Sequence, residues 1–182
     1  MPKIVYVLIS LAMPAFLWFV IATILINPVT VAATSVVGIE ITTSTKAERT
    51  TRHKILTEFF NKYKSPLVAH VDTFLAVADK YDIDYRLLPA ISCTESTCGK
   101  FLIEGSYNPF GWGIYGKNAI YFKSYDEAIE TVAAGLHKSY ISKGLDTPEE
   151  IERIYTPPSK GSWRHATRFF MNQMDLIAEK NI

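Results

Sequence analysis

The apolar positions of the chain fall into one long uncharged run followed by a series of striped segments. From Ile4 to Ile26 there is no charged residue, and a helix of that length would reach about 34 Å, enough for a bilayer core of roughly 30 Å. Between Asn27 and Lys46 the composition shifts to Val, Thr, Ser and Ala without a helical stripe, the pattern of a flexible tether. From about Ala47 to Tyr63, the residues Ile55, Leu56, Phe59 and Phe60 give a helix one apolar side. Ser65 and Pro66 supply an N-cap and a first helical residue for a stripe of Leu67, Val71, Phe74, Leu75 and Ala78. Asp84 is expected to cap the next helix, in which Pro89 sits early and Leu88, Ile91 and Glu95 fall at i, i+3 and i+7.

After Gly99 the pattern changes. The stretch GSYNPFGWGIYGKNAIYF, Gly105 to Phe122, is rich in glycine and aromatics, and two short extended runs around Gly116, Lys117 and Asn118 predict a small β-hairpin. Ser124 with Glu127 forms a capping box ahead of Ile129, Val132, Ala133, Leu136 and Tyr140, a helix expected to end near Gly144. Thr147, Pro148 and Glu150 repeat the start signal. Beyond TPPSKGS a last helix runs from about Trp163 through Phe170, Met174 and Ile177. The expected organisation is an N-terminal membrane segment over 1–26, a linker over 27–46 and a mainly α domain with one hairpin over 47–182.

Composition narrows the function. With 182 residues, 48% of them hydrophobic, there is room for one membrane segment and one compact domain. Lys and Arg are dispersed and nearly balanced by Asp and Glu for a net charge of +1, which leaves no basic footprint for nucleic acid. Val31, Ala32 and Ala33 offer a signal-peptide cleavage site, but the apolar run exceeds the roughly 7 to 15 residues of such a core, so an uncleaved anchor is favoured. Lys3 is the flanking positive charge on one side and none follows before Lys46, which predicts the N-terminus inside and the domain outside the cytoplasm.

Cys93 and Cys98 suit an exported domain. Five residues apart on a continuous helix they cannot bridge, so a disulfide requires unwinding near Thr97 and Gly99, and two buried thiols are the other possibility. No C-x-x-C pair points to a metal, and His53, His70, His137 and His165 are scattered without ligand spacing.

The residue with the strongest chemical implication is Glu95. An ionised, unpaired carboxylate on an apolar stripe would cost several kcal/mol, roughly, so it should be paired or line a cleft with a raised pKa. A carboxylic acid held protonated near neutral pH is what general acid catalysis needs. Ser96 beside it lacks the His and Asp partners of a nucleophile and reads as an orienting or packing hydroxyl. Glu104 and Asp126 are the nearest alternative carboxylates. Glu104 reads as a solvated loop residue, and Asp126 as a first-turn acid that suits the helix dipole.

The run ESTCG (Glu95 to Gly99), followed by NPFGWG (Asn108 to Gly113) and YTPPS (Tyr155 to Ser159), resembles the lysozyme-like peptidoglycan enzymes over roughly Ser65 to Met174. The nearest likeness is to the mannosyl-glycoprotein endo-β-N-acetylglucosaminidase-like family, with the soluble lytic transglycosylases behind it. The resemblance implies a lysozyme-like helical domain that cleaves peptidoglycan glycan strands without a cofactor. It implies Glu95 as catalytic acid, Tyr155 as its helper, and a cleft wall built on the turn containing Asn108, Phe110 and Gly111. Tyr107, Asn108, Trp112 and Ser96 are assigned to substrate contact. Two departures stand out: the Gly-Leu-Met-Gln type segment of the transglycosylases is replaced by Asn-Pro-Phe-Gly, and the expected hairpin carries no second carboxylate.

Overall fold

A computed structural model describes residues 29–114, 119–156 and 159–181. The apolar run Ile4–Ile26 lies outside these residues. No helix among those described is long and apolar enough to cross a membrane. The chain divides into two units, Met1–Thr45 and Lys46–Ile182.

Helix α1 spans Val29–Lys62, so the expected tether is helical from Val29 onward. No proline interrupts the chain between Pro28 and Pro66, and Ala, Ser, Thr and Val cost at most about 0.7 kcal/mol each in a helix, so a missing stripe does not prevent one. Ile55, Leu56, Phe59 and Phe60 are buried as the pattern predicts. The helix stops at Lys64, whose φ of 51° is left-handed. The N–H groups of Lys64 and Ser65 fold back onto the carbonyls of Asn61 and Phe60 at 3.0 and 2.9 Å.

Ser65 acts as the expected cap, its Oγ accepting from the Leu67 N–H at 3.0 Å, but the turn it starts is 3-10 over Pro66–His70. Helix α2 then runs Val71–Tyr81 and buries Val71, Phe74, Leu75, Val77 and Ala78. Helix α3 is Leu87–Ser96. Asp84 is not its N-cap: Arg86 holds that position, and the Asp84 carboxylate instead takes the Arg86 N–H and guanidinium, each at 2.9 Å. Every residue of α3 except Thr94 and Glu95 is buried, which makes it the central helix.

Helix α4 (Tyr125–Ser139) starts on Ser124, whose Oγ accepts from Glu127 N–H at 3.1 Å. It ends earlier than the stripe suggested, and a 3-10 turn, Ile141–Lys143, carries the chain to Gly144 at φ 73°. Helix α5 (Pro148–Tyr155) has the full Thr147–Glu150 capping box, and α6 is Ser162–Lys180. Within the second unit α3 packs on α6, α2 on α4 and α5 on α6. Phe59, Phe60, Phe74 and Phe110 are fully enclosed between them, each contributing about 1.5–3 kcal/mol by leaving water.

The fold is mainly helical, and the described residues contain no strand, so the runs expected to pair in the hairpin are loop over 105–114 and 119–122, while the expected turn at Gly116, Lys117 and Asn118 lies outside the described residues. Gly105, Tyr107, Gly111 and Gly113 all have positive φ, which breaks any extended run. Among the described residues a backbone bond ties the loop's limbs, Phe122 N–H to Ser106 C=O at 2.8 Å. The Asn108 side chain supplies the rest, its Nδ2 donating to the carbonyls of Trp112 (2.8 Å) and Ile120 (3.1 Å) while its Oδ1 accepts from the Trp112 N–H (3.0 Å).

Candidate active site

The site begins at the last turn of α3. Cys93 and Cys98 form a disulfide, and Thr97 and Cys98 are both left-handed, at φ 54° and 58°. Each such residue costs roughly 1–2 kcal/mol without glycine. The unwinding that the bridge requires is therefore present, secured by Thr97 N–H to Cys93 C=O (3.1 Å) and Cys98 N–H to Ser92 C=O (3.2 Å). The bridge encloses Glu95 and fixes the turn from which it projects.

Glu95 leaves the apolar stripe that Leu88 and Ile91 follow. Its position at the helix end carries the side chain past the core and into an open groove of about 420 Å³. Gly111, Trp112, Tyr140, Ile154 and Tyr155 share that groove, and Glu95 is its sole carboxylate among the described residues.

Both carboxyl oxygens are specified. The indole Nε1–H of Trp163 donates to Glu95 Oε1 at 2.7 Å. On the other side Gly111 closes in, such that a Cβ there would stand 3.3 Å from Oε2. Glu95 stays exposed toward the groove, while these two contacts take the rest of its carboxyl out of water. The resulting desolvation pushes the Glu95 pKa above its ordinary value, against a smaller opposing pull from the Trp163 hydrogen bond, which favours the charged form.

Tyr155 lines the groove, and its hydroxyl donates to the Phe110 carbonyl at 3.3 Å. Its ring lies between two indoles, with centroids 6.2 Å from Trp112 and 5.2 Å from Trp163. The hydrogen bond to the acid comes from Trp163, a residue the sequence reading did not single out for the site. A signal for it existed: it opens the helix directly after the Tyr155 turn, and an indole N–H in a core must find an acceptor. Gly111 was placed in the cleft wall from its motif, but its approach to the acid was not legible.

The residues assigned to substrate contact separate in space. Trp112 lines the groove, seated on α4 where Gly135 leaves room for it: a Cβ at Gly135 would come within 2.5 Å of the indole. Asn108 is only 4% exposed, with its amide engaged by the loop backbone, so it builds the wall and does not reach the groove. Ser96 is buried as well. Its hydroxyl lies 2.8 Å from both the Ser92 and Pro109 carbonyls and accepts from the Gly99 N–H at 2.9 Å, joining the end of α3 to the loop. Tyr107 lies outside the groove, packed edge-on against Tyr125 at 5.3 Å. Asp126 is held by Thr73 (2.6 Å) and His70 (2.8 Å), which keep its carboxyl below the usual range, and Glu104 is exposed on the loop.

Compared with known proteins, the chain matches no family model, and no curated protein matches it.

Proposed function

We propose that the 47–182 domain cleaves β-1,4 glycosidic bonds in peptidoglycan glycan strands, as an endo-β-N-acetylglucosaminidase with Glu95 as its single acid and base. The observation that carries this reading is a carboxyl, biased toward its protonated form, that is the sole one in an open aromatic-walled groove among the described residues. Protonated Glu95 gives its proton to the glycosidic oxygen as the C1–O bond breaks. The substrate's own 2-acetamido oxygen meets the positive charge at C1, as in substrate-assisted glycosidases, and no protein nucleophile is required. Water then attacks C1, and the Glu95 carboxylate takes its proton, restoring the acid. Trp112, on the groove wall, offers an aromatic surface against which a sugar ring packs.

The N-terminal segment would hold this domain at the outer face of the cell membrane, or release it if the segment is cleaved. The resemblance of the Glu95, Asn108 and Tyr155 motifs to the glucosaminidase-like family supports the substrate class.

That Glu95 is the sole carboxylate of the groove among the described residues favours a second reading as well. A lone acid/base also suits intramolecular attack by the substrate's C6 hydroxyl, which gives a 1,6-anhydro end and makes the enzyme a lytic transglycosylase. Zymography of the domain beside Glu95→Gln tests cleavage itself: equal clearing by both sinks the mechanism, and no clearing by either points to an inactive glycan-binding module. Mass spectrometry of the fragments separates the two reactions, with reducing GlcNAc ends for the hydrolase and anhydro-muramic ends for the transglycosylase.

A further inference from the structure

We propose that Glu152, on α5 and outside the groove, is a positioning residue for the acid. It caps α6 from a neighbouring element and so fixes the indole that holds Glu95. The proposal rests on the catalytic reading of Glu95.

Helix α6 starts without a local cap. Its N-cap is Gly161 at φ 99°, which has no side chain to bond the first-turn N–H groups. Glu152 supplies the missing acceptor. Its Oε1 accepts from the Arg164 N–H at 3.2 Å and from the Ser159 hydroxyl, and its Oε2 accepts from Arg164 Nη1 at 2.8 Å. A side-chain acceptor on the third N–H of a helix is the N-cap arrangement, and a negative charge there also suits the dipole. The difference is that the cap comes from α5.

Glu152 is 4% exposed, and a carboxylate so enclosed persists only when paired. Its partners all lie within 159–164. The Arg164 guanidinium in turn lies over the Gly161 turn, where a Cβ would come within 2.8 Å of Nη2. The peptide unit whose N–H Glu152 holds is the one that follows Trp163. Trp163 is 6% exposed and donates to Glu95. A continuous chain of contacts therefore runs from Glu152 through the Trp163–Arg164 peptide to the acid. Among the described residues the ionisable groups that share the groove with Glu95 are the phenols of Tyr140 and Tyr155, and Glu149, three residues before Glu152 on α5, pairs with Arg168.

The test reads the Glu95 titration directly, by carbon NMR of the domain with labelled glutamate carboxyls, alongside the pH–rate profile. Glu152→Gln keeps the volume and sets an amide NH2 against one of the donors. It should move the Glu95 titration upward, because a loosened indole no longer favours the charged carboxylate, and should lower kcat about tenfold with KM unchanged. Trp163→Phe should move the titration in the same direction, and the double variant should move it no further. Glu152→Asp, which retains both oxygens and the charge, should recover most of the wild-type profile. The proposal is overturned if Glu152→Gln melts at a lower temperature but leaves the Glu95 titration unmoved, or if the effects of the two single variants add. A Gln variant that does not fold is replaced by Ser159→Ala, for which an unmoved titration is likewise fatal. Because the titration needs no turnover, a shift without any activity in the wild type would reject the catalytic reading and keep the positioning role.

Discussion

Gly111 approaches Glu95 so closely that a single added methyl group would stand 3.3 Å from the carboxylate oxygen Oε2. With a φ of 61°, the residue also adopts a backbone that favours glycine. Gly111→Ala should therefore lose roughly 1–2 kcal/mol of stability to the backbone, and should lose activity beyond that by displacing the acid. Gly144→Ala separates the two effects, since Gly144 has a similar φ of 73° and nothing within 4 Å of a Cβ. Equal activity losses in the two variants would show that crowding of Glu95 does not matter.

Glu95→Gln should lower cleavage by at least about 100-fold, the usual contribution of a positioned general acid. It should not lower stability at neutral pH. The folded-state pKa of Glu95 is raised, so its favourable contribution is fully present below the unfolded-state pKa and is lost as the pH rises through the folded-state value. The wild type carries that loss at neutrality and the variant does not, while the Gln side chain still offers an oxygen to Trp163. Melting curves at about pH 3 and about pH 7 should show the variant gaining on the wild type as pH rises. A gap that stays constant would contradict the desolvated carboxyl.

Asn108→Ala distinguishes a wall-building residue from a sugar ligand. It leaves the Trp112 N–H and the carbonyls of Trp112 and Ile120 without their partner. Ile120 is exposed and Trp112 half-buried, so each lost hydrogen bond costs about 1 kcal/mol, and the three together should give a fall in Tm. A variant with the wild-type melting temperature and only a raised KM would restore Asn108 to the substrate-contacting set. Trp112→Ala should do the reverse, affecting KM more than its share of stability.

What could be read from the chain and what could not follow from the range of each interaction. The caps at Ser124 and Thr147 act on residues three positions away, and both were legible as short motifs. Ile55, Phe59, Phe74 and Leu136 were legible as core from helical spacing alone. The loop over 105–114 and 119–122 was not, because alternation and glycine suggest a hairpin equally well. Asn108 decides otherwise by taking carbonyls that strands would pair, one of them twelve residues away. Trp163 was hidden for the same reason: it lies 68 residues from Glu95, and no local pattern joins them. Tyr155 carried the visible motif, and the tyrosine does sit in the groove, but the donor to the acid comes from the next helix.

The disulfide gives the last prediction, because the ring closed by Cys93 and Cys98 contains the acid itself. Closing so short a loop is expected to contribute about 2 kcal/mol through the unfolded chain, so reduction should lower Tm modestly and leave the fold standing on its aromatic core. The effect on activity should be larger. Thr97 and Cys98 hold left-handed conformations that non-glycine residues resist. Once the sulfurs separate, that turn can relax toward ordinary helix, rotating the end of α3 that carries Glu95. The Ser96 bond to the Pro109 carbonyl, which ties the same turn to the groove wall, would be strained with it. Paired substitution of Cys93 and Cys98 by serine, or treatment with reductant, should thus cost more in kcat than the small loss of stability implies at a temperature where the protein stays folded. Full activity in the reduced, folded protein would show that the hydrogen bonds of the turn suffice to hold Glu95 in place.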